Sequence, residues 1–304
     1  MAKNAETVPG SRDESHTNNP ETTRSESPGS VAPPDRIRPL SSPLSISAGY
    51  AGVTTLAAVR WIIVGFKSIL TWTVGVLMTL ICTLAVLAVA LVNDTSRIID
   101  RIILIWSHTW LLTSGSRLTV TGQENIDPNR SYIVVANHLS TLDIMACFIA
   151  TQLPIRFLAK KELFKIPIFA QGMRSVGNIE VDRQAKGSIH VQLNRQAKEL
   201  IAKKRSLIIY PEGTRPREGV MKPFKKGAFT MAVGSQLPVL PMSIHGTYEA
   251  CPSGRPWFFG GPIEVVIEPP IETEGMTQAD TGALRDQARD IIARRISDLG
   301  GEVG

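Results

Sequence analysis

The sequence predicts an α/β fold flanked by helices, carried behind a membrane-inserted helical segment. Short apolar runs rich in β-branched residues recur near 132–136, 155–159, 176–181, 207–211, 237–244 and 263–268. Helix-compatible stretches separate them, the alternation that builds a sheet covered by helices. Polar and charged residues collect directly after several of these runs, where open α/β sheets bind ligands. Upstream, the 25 residues from 68 to 92 carry no charge, enough to cross about 30 Å of hydrocarbon as a helix.

Residues 1–45 come first. They are rich in Ser, Thr, Pro, Glu and Arg and nearly free of aromatic or periodic apolar residues, so they cannot bury enough surface to offset ordering entropy and read as a disordered tail. No secretory signal pattern opens them. Residues 46–113 form a membrane-anchoring helical region. Within it, 51–66 is apolar but contains Arg60, which leaves two readings open: one arm of a helical hairpin, or an interfacial lead-in to a single membrane helix. Arg60 and Lys67 before the uncharged run balance Arg97 and Arg101 after it, so basic residues alone do not orient it. Residues 102–112, with Trp106 and Trp110, read as a helix packed at the bilayer interface, and His108 as a satisfied structural residue. The α/β domain is expected over 114–304, ending in a helix capped by Asp280 and running to Leu299 on an apolar stripe that includes Leu284, Ala288, Ile291 and Ile292.

Charge and composition narrow the function. The 304 residues carry a formal net charge of +6, and residues 1–50 hold five basic and six acidic side chains, leaving +7 for the remainder. Basic residues are dense between Lys160 and Arg205, which suits anionic headgroups or a phosphorylated donor, while many of them also fit solvated helix faces. Nucleic acid is disfavoured, since no binding motif or interleaved aromatics accompany the charge. Cys82, Cys147 and Cys251 are too widely spaced for a disulfide framework and agree with a reducing compartment. The five histidines show no local ligand pattern, and no metal is expected.

The densest chemistry lies in 137–143, Asn-His-Leu-Ser-Thr-Leu-Asp, directly after the run 132–136. A histidine aimed by a carboxylate can take a proton from a hydroxyl. Five residues along a continuous helix turn side chains apart by about 140°, so His138 and Asp143 can share a site only across a bend. Ser140 as N-cap provides one, with His138 on the loop and Asp143 at the third helical position. The same residues also read as a capping box in which Asp143 merely satisfies backbone N–H groups. A second strand candidate, 207–210, runs into Pro211-Glu212-Gly213-Thr214-Arg215. Gly213 permits a positive φ, Thr214 offers a hydroxyl, and Arg215 can grip a phosphate; a tight turn with a surface ion pair is the plainer alternative.

These blocks together resemble the glycerolipid acyltransferases, the family that includes 1-acylglycerol-3-phosphate acyltransferase. Residues 137–143 look like its His-x4-Asp block, 177–183 (Gly-Asn-Ile-Glu-Val-Asp-Arg) its second block, and 212–215 (Glu-Gly-Thr-Arg) its third. Residues 237–241 (Leu-Pro-Val-Leu-Pro) resemble the fourth, and 224–229 (Phe-Lys-Lys-Gly-Ala-Phe) the basic stretch before it. The likeness covers about residues 105–270. Pro216, where the family often has serine, and Glu180, where an apolar residue is commoner, depart from it and bear on pocket shape.

The resemblance implies a mixed sheet flanked by helices and acyl transfer to a lysophospholipid hydroxyl. His138 would be the general base and Asp143 its orienting partner, with Arg183, Glu212, Gly213, Thr214 and Arg215 binding substrate. It implies no cofactor: acyl-CoA or acyl-carrier protein is the co-substrate, and the catalytic domain of a membrane-bound enzyme faces the cytoplasm. Lysophosphatidic acid fits the paired arginines, and lyso-ornithine lipid or another lysolipid fits related sites. A thioesterase or phospholipase using His138 to activate water, and a non-catalytic lipid-binding protein, are the competing readings.

Overall fold

The computed structural model describes residues 43–181, 199 and 202–304, and in it the apolar runs become strands of one sheet. In chain order the elements are α1 (Pro43–Ala90), α2 (Arg97–Ser114), β1 (Ser116–Thr121), β2 (Ile133–Ala136), α3 (Leu142–Thr151), β3 (Ile155–Lys160), α4 (Phe169–Ser175) and β4 (Ile179–Val181). Then follow β5 (Ser206–Ile209), α5 (Gly227–Ser235), β6 (Val239–His245), α6 (Thr247–Ala250), β7 (Gly261–Ile267) and α7 (Thr281–Asp298). Apart from residues 43–45, which open α1, the expected tail lies outside the described residues, as does Arg183. Residues Ala51–Gly304 form one compact unit.

The sheet order is β1-β7-β6-β2-β5-β3-β4, parallel throughout except that β7 runs antiparallel to β6. This is the mixed sheet expected, with helices on both faces. Val134 and Ala136 of β2 point into a core with Met145 and Phe148 of α3 and Trp110 of α2. Ile133 and Val135 point to the opposite core, against Phe229 of α5 and Leu284, Ala288 and Ile292 of α7. Burial on both faces is why these strands read as continuous apolar runs rather than alternating ones.

Edge strand β1 escaped that pattern. In Ser-Arg-Leu-Thr-Val-Thr, successive residues alternate between half-buried and exposed, so its sequence never becomes an unbroken apolar run. Asp280 also acts differently from expectation. Its carboxylate closes a capping box with Thr277 on the short turn 278–280, and no side-chain bond from it caps α7. Of the stripe expected on α7, Leu284, Ala288 and Ile292 are buried together with Ile296, whereas Ile291 is half-buried.

The uncharged run and its lead-in form one continuous helix, not two arms. Ala57–Ala90 is the one helix among the described residues long and apolar enough to cross a membrane, with mean hydropathy 2.4. Trp61, Ile62, Phe66, Ile69 and Leu77 stand exposed along it, which favours membrane association. Its inner face packs on α2. A Cβ on Gly75 would fall 2.5 Å from the Trp110 ring, so only glycine admits that indole. Trp106 Nε1 donates to Thr79 Oγ1 at 2.8 Å, and Thr71 Oγ1 donates to the Thr113 carbonyl at 2.7 Å. His108 Nδ1 lies 2.8 Å from the Leu104 carbonyl, in keeping with a structural histidine.

Two arginines fasten this helical pair to the sheet. Arg156 of β3 is 1% exposed. It donates to the carbonyls of Val176 and Ile155 and reaches Asp100 of α2 at 3.0 Å. Arg205, just before β5, donates to the same Val176 carbonyl and to that of Asp94. Burial pulls the Arg156 guanidinium down to about 10, still charged at neutral pH, and Asp100 opposes the shift. The knot sits at the N-terminal ends of β3 and β5, leaving the C-terminal ends of the strands to the site.

Candidate active site

At the C-terminal end of β2 the chain leaves the sheet, and Asn137 manages the exit. Its side-chain amide donates to the Ile244 carbonyl and accepts from the Ile244 N–H, both at 2.8 Å, extending the β2–β6 ladder by one step. His138 follows on the loop, 8% exposed, and α3 starts at Leu142. Asp143, fully buried, is thus the second residue of α3 rather than the third.

The bend brings the pair together. His138 Nδ1 and Asp143 Oδ2 lie 2.8 Å apart, and the same oxygen accepts from the backbone N–H groups of Leu139 and Ser140, each at 2.8 Å. Base-orienting and capping readings of Asp143 are therefore compatible, because one carboxylate oxygen serves both. Ser140 contributes to the helix start by accepting from the Leu142 N–H, while its hydroxyl donates to the Cys251 carbonyl at 2.7 Å. With Nδ1–H given to the carboxylate, Nε2 keeps its lone pair.

Glu212 does not reach outward. It is 3% exposed, and its two oxygens accept from the backbone N–H groups of His138 (2.7 Å) and Lys222 (2.9 Å). It ties the loop after β5 to the loop after β2. Burial pushes its carboxyl up to about 7, with the two N–H donors pulling the other way and Asp143 adding to the rise. Glu212→Gln turns an amide NH2 toward a backbone N–H and is expected to cost roughly 1–3 kcal/mol of stability. Between about pH 4.5 and 7, folded Glu212 holds a proton that the unfolded chain has released. This group therefore adds stability as pH falls through 7, fully so below about 4.5. Thermal melts at stepped pH should show the wild type gaining on Glu212→Gln under acidification.

Gly213 adopts φ +77°, and its N–H closes a turn onto the Tyr210 carbonyl at 3.0 Å. That N–H faces its own loop rather than the site. Thr214 and Arg215 are exposed, and the Arg215 guanidinium donates to the Thr141 hydroxyl, over the loop that carries His138. Glu180 is exposed on β4 and pairs with Arg174 at 3.4 Å.

Tyr210, the residue after β5, also stands at the site, although its sequence context marks it only as the end of a strand. Its ring stacks on the His138 imidazole with centroids 3.9 Å apart and 11° between planes. Its hydroxyl lies 3.3 Å from Cys147 Sγ, and burial raises the phenol well above its usual range, so it stays neutral. Phe157 and then Phe148 continue the ring contacts to an apolar cavity of about 160 Å³, lined by Trp106, Ile144 and Met173 among others. An aromatic residue immediately before Pro-Glu-Gly was the available signal. Among the described residues no three His, Cys, Asp or Glu side chains converge to hold a metal ion.

A family model described as Acyltransferase matches residues 117–245, from β1 through β6 and so across the whole site. The mouse 1-acyl-sn-glycerol-3-phosphate acyltransferase alpha is 34% identical over 193 residues, 61% of this chain and 67% of that protein. The chain belongs to the acyltransferase family. The human alpha enzyme is another relative, 33% identical over 58% of the chain, which spans 62% of that enzyme's length. The 1-acyl-sn-glycerol-3-phosphate acyltransferase of Saccharomyces cerevisiae is 32% identical over 64% of each protein. Among solved family structures, the 1-acyl-sn-glycerophosphate (LPA) acyltransferase PlsC of Thermotoga maritima is similar with a TM-score of 0.69 and 28% identity. It covers 79% of this chain and 98% of its own.

Proposed function

We propose that this chain moves a fatty acyl group from a coenzyme A or carrier-protein thioester to the free hydroxyl of 1-acylglycerol-3-phosphate, giving phosphatidic acid. The observation that carries the reading is the His138–Asp143 pair at the end of β2, sharing one strand-end region with Arg215. His138 Nε2 takes the acceptor's hydroxyl proton as that oxygen attacks the thioester carbonyl. The new C–O bond forms, the C–S bond breaks, and the proton passes to the departing thiolate. Asp143 stabilises the intervening imidazolium. No protein nucleophile is required, and Cys147 and Cys251 are poor ones, their thiols raised by burial, Cys251 to about 11.

Arg215 receives the acceptor's phosphate, together with Arg183. The cavity beyond Phe157 is apolar enough for an acyl chain, and α1 holds the site against the membrane, with the catalytic unit on the cytoplasmic side where thioester donors occur. Arg215→Ala is expected to raise KM for 1-acylglycerol-3-phosphate roughly 10- to 100-fold, the loss of one charge-assisted contact, while leaving KM for the donor within about twofold. Incubating the purified protein with a panel of lysolipids and both donor types, with products identified by mass spectrometry, tests the assignment. Phosphatidic acid should dominate, and dominant acylation of a lysolipid without phosphate would overturn the acceptor.

A further inference from the structure

Asp143 holds His138 through Nδ1 alone, and one hydrogen bond leaves an imidazole free to tilt about the bond axis. The tilt is settled by Tyr210. Its ring lies flat on the imidazole at 3.9 Å, backed at 6.2 Å by Phe157 and pinned at its far end by the Cys147 thiol. We propose that Tyr210 is a positioning residue for the base. Its π face fixes the plane of His138 and stabilises the imidazolium formed when the acceptor's proton arrives. The proposal rests on the acyl-transfer reading in which His138 is that base.

The arrangement suits this role for two reasons. The electron-rich face of a phenol attracts a cation held above it, and more strongly where water is excluded; His138 is 8% exposed. The contact is also differential. A neutral imidazole gains little electrostatically from the ring face, whereas the imidazolium gains more, so the benefit falls on the charged species and raises kcat rather than substrate affinity.

Tyr210→Phe keeps the ring and should keep kcat within about twofold. Tyr210→Leu should lower kcat roughly 3- to 30-fold, with both KM values nearly unchanged. The His138 Cε1–H resonance should move downfield in Tyr210→Leu, as the ring current is lost, but not in Tyr210→Phe. Should Tyr210→Leu fail to fold, progressively fluorinated phenylalanines at position 210 keep the shape while draining the π face, and kcat should fall with each fluorine. Unchanged kcat with the fully fluorinated ring, or a Tyr210→Phe variant as impaired as Tyr210→Leu, would overturn the proposal. Failure of the underlying reading looks different: His138→Ala would then retain near-normal kcat, whereas here it lowers kcat roughly 10²- to 10⁴-fold whatever stands at 210.

Discussion

Replacing His138 with alanine is expected to lower kcat for acyl transfer roughly 10²- to 10⁴-fold, the usual contribution of a positioned general base. The fold should survive. The His138 side chain makes one strong bond, to Asp143, while its backbone N–H, which alanine retains, carries the Glu212 tether. Donor and acceptor KM values should change little, because the base acts on the proton in flight and not on bound ground states. A circular dichroism spectrum and melting temperature close to wild type, combined with this kcat loss, would separate chemistry from unfolding.

Asp143→Asn should cost nearly as much activity by a different route, roughly 10²- to 10⁴-fold in kcat. Asp143 Oδ2 gathers three donors, whereas the buried Oδ1 has no hydrogen-bond partner among the described residues. An asparagine can therefore turn its carbonyl oxygen to the same three donors and its NH2 to the other side. Geometry is largely preserved and the negative charge is lost, so the variant reads the electrostatic support for the imidazolium almost alone. Asp143→Ala would in addition strand the loop N–H groups of Leu139 and Ser140, each lost bond costing about 1–3 kcal/mol, and should unfold at clearly lower temperature. A Asp143→Asn enzyme with near-normal kcat would show that the carboxylate is only a helix cap.

Much of the site was legible because its parts are local. His138 and Asp143 lie five positions apart, and the strand before them announces itself by burial on both faces. The six strands read from apolar runs are present, and only the alternating edge strand β1 escaped. What could not be read depends on partners far along the chain. Asn137 looks like a loop polar residue until Ile244 is placed beside it, and Glu212 looks like a ligand until both its oxygens are seen to hold backbone N–H groups. Tyr210 reads as the last apolar residue of a strand; only the fold sets it on His138. Arg205 sits among the dense basic residues that also fit solvated faces, whereas Arg156, an arginine between Ile155 and Phe157 inside an apolar run, marks a buried and satisfied cation.

In the proposed reaction a lipid hydroxyl, and not water or a protein side chain, takes the acyl group from the thioester. The most direct measurement follows a labelled thioester with purified protein in lipid micelles, with and without 1-acylglycerol-3-phosphate. Labelled phosphatidic acid and stoichiometric free thiol are expected only when the acceptor is present, with no label retained on the protein. Equal thiol release in its absence, accompanied by free fatty acid or an acylated protein, would contradict it.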